Sequence, residues 1–498
     1  MGINKSAVII GAGIGGITTA IYLAKNGYNV SIYEKNSVPG GRCGQLIHEG
    51  HRFDLGATML LMPGVYREVF KSLDLDFDEL LEIKPLEDLY KLYFDDDEEI
   101  VFTTDKKKME EQLEALEKGS FSRAESYVTE GYNFYQIARK KLIGRNFYNI
   151  FEFATLKNML MLIKLKTYLT HQKYIQRFFR NPHLQMAYTF QNIYVGQSPF
   201  DAPAFFSMIP AIELVEGSYF PKGGIFSVVE KLKSEAVKNG VKFNFDKEVS
   251  GIRINNKTAE SISFTDGEVV SADVIVANAD LPYVYRDLLP DKAKSHRLDK
   301  LKYSCSAMVF HWGLDKTYPL LAHHNVFLND GFRTGLRVIF KDKAADTNPS
   351  FYVHAPVRTD PSAAPENHDT LSVVVGIGHL DETREQDWNN FRKISRDAVI
   401  KRLQKAGLTD IEEHIKHERC YSPKTWESAY HVSKGSVFGS LNHSLFQMGY
   451  FRPHNRHNYY KNLYFVGGST HPGNGIPLVL LSAKLTAERI LKEENKRK

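Results

Sequence analysis

The stretch Ser6-Ala7-Val8-Ile9-Ile10-Gly11-Ala12-Gly13-Ile14-Gly15-Gly16 decides the fold. A short apolar run, of the length of a buried parallel strand, ends in glycines. Ile17 to Asn26 then reads as a helix closed by Gly27, and Tyr28 to Tyr33 as a second strand, which completes a βαβ unit. In Gly11-x-Gly13-x-x-Gly16 the first glycine permits the tight turn and the second lets a pyrophosphate approach the backbone. The third allows helix and strand to pack closely. The helix N-terminus faces the anion. Glu34 ends the second strand about 20 residues on, where a carboxylate binds a ribose hydroxyl.

A second glycine cluster stands at the other end of the chain, Gly467-Gly468-Ser469-Thr470-His471-Pro472-Gly473-Asn474-Gly475-Ile476-Pro477. It follows the apolar strand Leu463 to Val466 and precedes a helical run, Leu480 to Leu491. Such a loop brings bare backbone amides against a flat cofactor and aims a helix dipole at the electron-rich end of a reduced ring. A second dinucleotide fingerprint is absent. Gly376-Ile377-Gly378 follows the strand Leu371 to Val375, but no third glycine comes three residues later, which argues against a bound NADPH domain. Cys43, Cys305 and Cys420 lie far apart and form no CxxC pair, so disulfide reductases drop out and a reducing cytoplasm fits.

The 498 residues, 43% hydrophobic and 25% charged, suit two or three globular domains. A net charge of +5 calls for no nucleic acid. No apolar run is long enough to span a bilayer; the best, Asn158 to Leu169, is broken by Lys164 and Lys166. Met1-Gly2 with Ser6 fits a myristoylation pattern, but so close to a buried first strand it reads as a chance match. Residues 106–180 are rich in helix formers, and between Arg139 and Arg180 ten cations stand against Glu152 as the one acid, interleaved with Phe, Tyr, Leu and Met. This suits a membrane interface; a solvated basic helix packed on the core is the alternative. The pairs His48 with His51, His414 with His417, and His454 with His457 carry no zincin spacing or cysteine partners, so no metal site is expected. His323 and His324, as strand neighbours, should point to opposite faces.

The chain resembles the bacterial-type phytoene desaturases, within the amine-oxidase-like FAD superfamily. The likeness rests on Gly11 to Gly16, Glu34, Gly40-Gly41-Arg42, Tyr194-Val195-Gly196, Ala202-Pro203-Ala204, Phe220-Pro221-Lys222-Gly223-Gly224 and His323-His324-Asn325. Its most specific carriers are Phe451-Arg452-Pro453-His454-Asn455 and the run Asn462 to Pro477. The resemblance implies FAD, with Arg42 near the pyrophosphate, and a cofactor set of Gly11, Gly13, Ile14, Gly15, Gly16, Glu34, Lys35, Gly41 and Arg42. Gly56, Ala57, Thr58, Val249, Asn278, Gly467, Gly468, Gly475, Ile476 and Pro477 complete it.

It implies an α/β fold in which a Rossmann-type FAD-binding domain (1–75, 217–285, 455–498) joins a β-sheet substrate domain (76–105, 181–216, 286–454). Residues 106–180 form a helical, membrane-associating insertion. The implied reaction removes two hydrogens from a carbon pair beside a polyene, with oxygen or a quinone as final acceptor, at the cytoplasmic face of a membrane. No catalytic base is assigned; His471 is a candidate for positioning. Leu478, where the family usually has glycine, and the apolar run Leu55 to Pro63 point to a late or γ-carotene-type intermediate dehydrogenated at the 3,4-position. Phytoene desaturation, a carotenoid oxygenase, a retinol-saturase-like reductase, an amine oxidase and a flavin-free escort of the GDP-dissociation-inhibitor kind are the rival readings.

Overall fold

A computed structural model describes residues 5–495; Gly2 lies outside them. Five parallel strands form the first sheet, in the order Leu463–Phe465, Val274–Ala277, Lys5–Ile10, Tyr28–Tyr33, Lys242–Asn244. The helices Ile14–Lys25, Phe226–Lys238 and Ile476–Asn495 supply apolar residues to the core on this sheet. A strand buried on both faces has no polar alternation, which is why Ala7 to Ile10 reads as a continuous apolar run.

A second, seven-stranded sheet runs Ile415–Tyr421, Ser306–Leu314, Asp369–Ile377, Phe351–His354, His324–Phe327, Asp88–Tyr93, Glu99–Thr103. Its pairs are antiparallel except His324–Phe327 with Asp88–Tyr93. All of its strands fall in the segments assigned to the substrate domain, and those of the parallel sheet in the segments assigned to the cofactor.

The helices Lys106–Leu116 and Ser120–Ala138 share one apolar cluster with the strands Asp88–Tyr93 and Glu99–Thr103. Gly131 lets Ser120–Ala138 lie against the 207–216 region, since a Cβ there would stand 2.6 Å from the Ser207 carbonyl oxygen. Of residues 106–180, then, the first two helices belong to the core. The helix Leu156–Lys164 has no buried residue. No helix among the described residues is long and apolar enough to cross a membrane.

Candidate active site

One cavity of about 640 Å³ runs between the two sheets. Every residue named for the cofactor lines it except Gly16, whose place is behind the turn. A Cβ on Gly16 would lie 2.4 Å from the Gly11 carbonyl oxygen, so this glycine brings the helix onto the strand. Gly11 itself has φ +96°, and a Cβ would lie 2.7 Å from the Asn278 carbonyl oxygen. Asn278 fastens this turn twice: its backbone N–H donates to the Ile10 carbonyl and its side-chain amide to the Gly11 carbonyl at 3.0 Å.

The residues fit FAD. Gly13 caps the helix Ile14–Lys25 with no side-chain acceptor, so the first-turn amides are left for an anion. Glu34 is buried and accepts from the Ala12 N–H at 2.8 Å and the Asn36 N–H at 2.9 Å, which fixes its carboxylate at the ribose end. Arg42 donates to the Val437 carbonyl at 2.9 Å, and another of its nitrogens lies 3.3 Å from where a Cβ on Gly468 would be. The two distant glycine segments meet there. Asp54, beside Gly56, accepts from the amides of Ile225 and Phe226, and burial raises its carboxyl to about 6.

Arg452 explains the Phe-Arg-Pro run. Its guanidinium is fully buried and donates to the carbonyls of Thr470, Gly468, Leu441, Asn442 and Gln447. It thereby ties the C-terminal glycine loop to the 441–447 segment, while burial lowers its pKa to about 9. Asn455 continues the tie, donating to the His471 carbonyl at 2.9 Å. His471 does not line the main cavity. Its ring packs on Phe147 behind the loop, with Nε2 2.9 Å from the Arg145 carbonyl oxygen.

Two residues that the sequence reading passed over face the cavity. His443 lines it beside Gly473 and is buried; burial and the nearby Arg452 hold its pKa well below the ordinary imidazole range, against a backbone hydrogen bond at Val195 that raises it. Tyr352 bonds Thr58 at 2.7 Å on the cavity wall. Nothing local marks His443, because its relation to the glycine loop is made by Arg452 across the fold. Farther along, Glu213 behind the wall accepts from Tyr90, and desolvation raises its carboxyl to about 8, so it is held neutral near pH 7.

Away from the glycines the cavity becomes apolar, with Met62, Phe190, Phe206, Ile209, Leu336 and Ile339 among its walls. Leu478 and Met59 also line it. Of the histidine pairs of the sequence, His48 and His51 face each other across the hairpin of Gln45–His48 and His51–Asp54, with His48 stacked on His417 at 3.7 Å; His414 bonds Asp315, and His457 stacks on Tyr460. His323 lies just outside the strand, so the expected alternation fails and it turns toward His324, 4.4 Å between ring centres.

A model of the flavin-containing amine oxidoreductase family matches residues 14–491. The phytoene desaturase of Fusarium fujikuroi is 36% identical, over 99% of this chain and 90% of its own. The 4,4'-diapophytoene desaturase (4,4'-diaponeurosporene-forming) of Staphylococcus aureus strain Newman is 34% identical, over 97% and 98%. Among solved structures, putrescine oxidase bound to putrescine superposes with a TM-score of 0.64 at 12% identity, covering 99% of this chain and all of that one, a likeness of fold alone. The chain belongs to the flavin-containing amine oxidoreductase family, as an FAD-dependent oxidoreductase similar in sequence to carotenoid desaturases.

Proposed function

We propose that this protein dehydrogenates a carotenoid, turning a C–C single bond beside a polyene into a double bond. The observation that carries this reading is the continuity of the glycine-lined FAD site with a long apolar cavity, in a chain that is over a third identical to phytoene desaturase. Bound FAD supplies a two-electron acceptor that takes one hydrogen as hydride. The chain's own residues align the polyene, exclude water and accept the second hydrogen as a proton. His443 is the proton acceptor in this reading: it is a buried, neutral imidazole that lines the cavity beside the glycine loop. Oxygen or a quinone then takes the electrons.

Two substrate stages have support. The relatives' names favour an early linear carotene or diapocarotene, while Leu478 and the apolar Leu55 to Pro63 wall favour a late, γ-carotene-type intermediate. Cells making phytoene, diapophytoene, lycopene or hydroxylated γ-carotene should, on expressing this chain, show longer conjugation on one of them. Unchanged pigments on all would refute the desaturase reading.

Loading requires a membrane, since carotenes partition into bilayers. On the helix Leu156–Lys164, Leu156, Met159, Leu160 and Ile163 share one face and are 74%, 61%, 58% and 60% exposed, the reverse of a core-facing stripe. Phe151, Phe446 and Phe451 extend the patch, and Lys157 and Lys164 flank it, forming no ion pair with a described residue. Lys166, by contrast, is bound to Glu130 and belongs to the fold. The patch borders the cavity: Phe153 packs on Phe451, and Leu142, a wall residue, lies 3.9 Å from where a Cβ on Gly449 would be. We place the cytoplasmic bilayer surface here. Substituting Leu156, Met159 and Ile163 together by glutamate should lower partition onto phosphatidylglycerol vesicles at least about 100-fold, each apolar side chain contributing about 1.5 kcal/mol. Unaltered partition in a sedimentation assay would reject this surface.

A further inference from the structure

Behind the cavity wall three imidazoles converge on one spot. His324 and His354 are register partners across the strands His324–Phe327 and Phe351–His354, and His323 turns in beside them. One ring nitrogen of each lies within 4.8 Å of the other two. All three rings are buried.

Their surroundings orient two of the rings. Thr359 Oγ1 lies 2.7 Å from His323 Nδ1 and the Tyr352 hydroxyl 2.7 Å from His324 Nδ1, which leaves Nε2 of both for the centre of the cluster. His323 Nε2 and His354 Nε2 are 3.1 Å apart. His324 Nε2 and His354 Nδ1 are buried with no hydrogen-bond partner. Phe220 packs against the rings of His323 and His354. A packing role does not account for this. Each unpaired buried nitrogen costs about 1–3 kcal/mol, a penalty that leucine or phenylalanine in the same apolar setting would not incur.

We propose that His323, His324 and His354 bind a divalent transition metal of the zinc class. Three neutral imidazoles without thiolate or carboxylate select zinc, copper, nickel or iron over calcium and magnesium. Tetrahedral zinc, at about 2.0–2.1 Å from each nitrogen, sets its ligands about 3.4 Å apart; the His323 and His354 nitrogens stand near that spacing and His324 closes on them by side-chain rotation. The hydroxyls of Thr359 and Tyr352 are the hydrogen-bond partners that such ligands use to fix their rings. Arg358, whose charge bears on His323, is held by Asp369 at 2.6 Å and so is compensated. Tyr352 stands between the cluster and the cavity and also bonds Thr58. The ion would therefore brace the wall that carries these two residues, without touching the reacting atoms.

Full-length FAD-loaded protein, stripped with a chelator, should take up one equivalent of Zn²⁺ in competition with a chromophoric chelator. Co²⁺ should give the intense visible bands of a tetrahedral nitrogen site. His354→Phe and His324→Leu, each checked for fold by circular dichroism and flavin absorbance, should weaken uptake at least tenfold, while His417→Ala should not. Uptake below a tenth of an equivalent in the unaltered chain, or uptake equal in a folded His354→Phe chain, would overturn the site. If neither substituted chain folds, the Co²⁺ spectrum of the unaltered protein decides, and a weak octahedral band overturns the proposal.

Discussion

Gly56→Ala is expected to yield a folded but nearly colourless protein. A Cβ at this position stands 1.9 Å from the Arg42 carbonyl oxygen and 3.0 Å from its carbon, both backbone atoms that no side-chain rotation can clear. The turn carrying Arg42 is closed by the Cys43 N–H on the Gly40 carbonyl and by the Gly44 N–H on the Gly41 carbonyl. The Gly40 N–H in turn donates to the Ala12 carbonyl at 2.9 Å. A shift of Arg42 is thus passed to the first glycine loop, and both anion-binding elements move together. Overpacking of this kind costs about 1–3 kcal/mol. At the upper end, borne by the cofactor-bound state, it weakens FAD binding about 100-fold. Flavin absorbance per chain and an FAD titration measure this; ordinary flavin content and affinity in Gly56→Ala would reject it. Gly64→Ala is the control, since a Cβ there meets nothing within 4 Å.

The contrast between these two glycines shows what the sequence could disclose. The Gly11 to Gly16 turn obeys a local rule: strand, tight turn and helix are neighbours in the chain, and the spacing of three glycines encodes their packing. The parallel sheet was legible for that reason, and so was the C-terminal loop, whose glycines sit between a strand and a helix. Arg452 was visible only as part of a resemblance. Its purpose, a buried guanidinium satisfied by five carbonyls, exists only after residues 441–447 and 468–470 meet in space.

The helical region from residue 106 to 180 shows the opposite limit. Its charges read as one basic stripe, yet Lys166 and Arg139 are committed to Glu130 and Glu68, and His171 is buried between Tyr127 and Asn192. Composition counts cations without showing which are already paired. The exposed face of Leu156–Lys164 has the same period as a core helix, so periodicity alone could not distinguish inward from outward. His323, His324 and His354 failed to announce themselves for a related reason: their approach depends on the pairing of two strands some 30 residues apart and on one residue leaving strand geometry.

His443→Gln is expected to slow pigment formation about 10²–10⁴-fold, the usual contribution of a positioned acid or base, with flavin content and carotenoid binding retained. Removing a hydride leaves the neighbouring C–H strongly acidic, because the positive charge that develops is shared with the polyene. A weak base suffices there, provided it is neutral and free. Burial and the Arg452 charge keep His443 unprotonated well below pH 6.5, outweighing a backbone hydrogen bond at Val195 that raises its pKa. Its Nε2 would lie 2.5 Å from a Cβ on Gly473, so the imidazole presses directly on the glycine loop and the proton has a short path. Glutamine preserves size and polarity but accepts no proton at neutral pH.

The pH dependence separates this role from packing. A base whose pKa is lowered stays active as pH falls through 6.5 and loses activity only when acid protonates it, so the unaltered enzyme should hold its rate from pH 8 to pH 6 as far as this group is concerned. In the glutamine variant the acid limb assigned to His443 should vanish while the rate stays low throughout. Growth of the longer polyene's absorbance in a single turnover, with substrate bound beforehand, reads the step without interference from reoxidation. A glutamine variant that forms the longer polyene at the original rate would remove His443 from the chemistry and leave the proton to water.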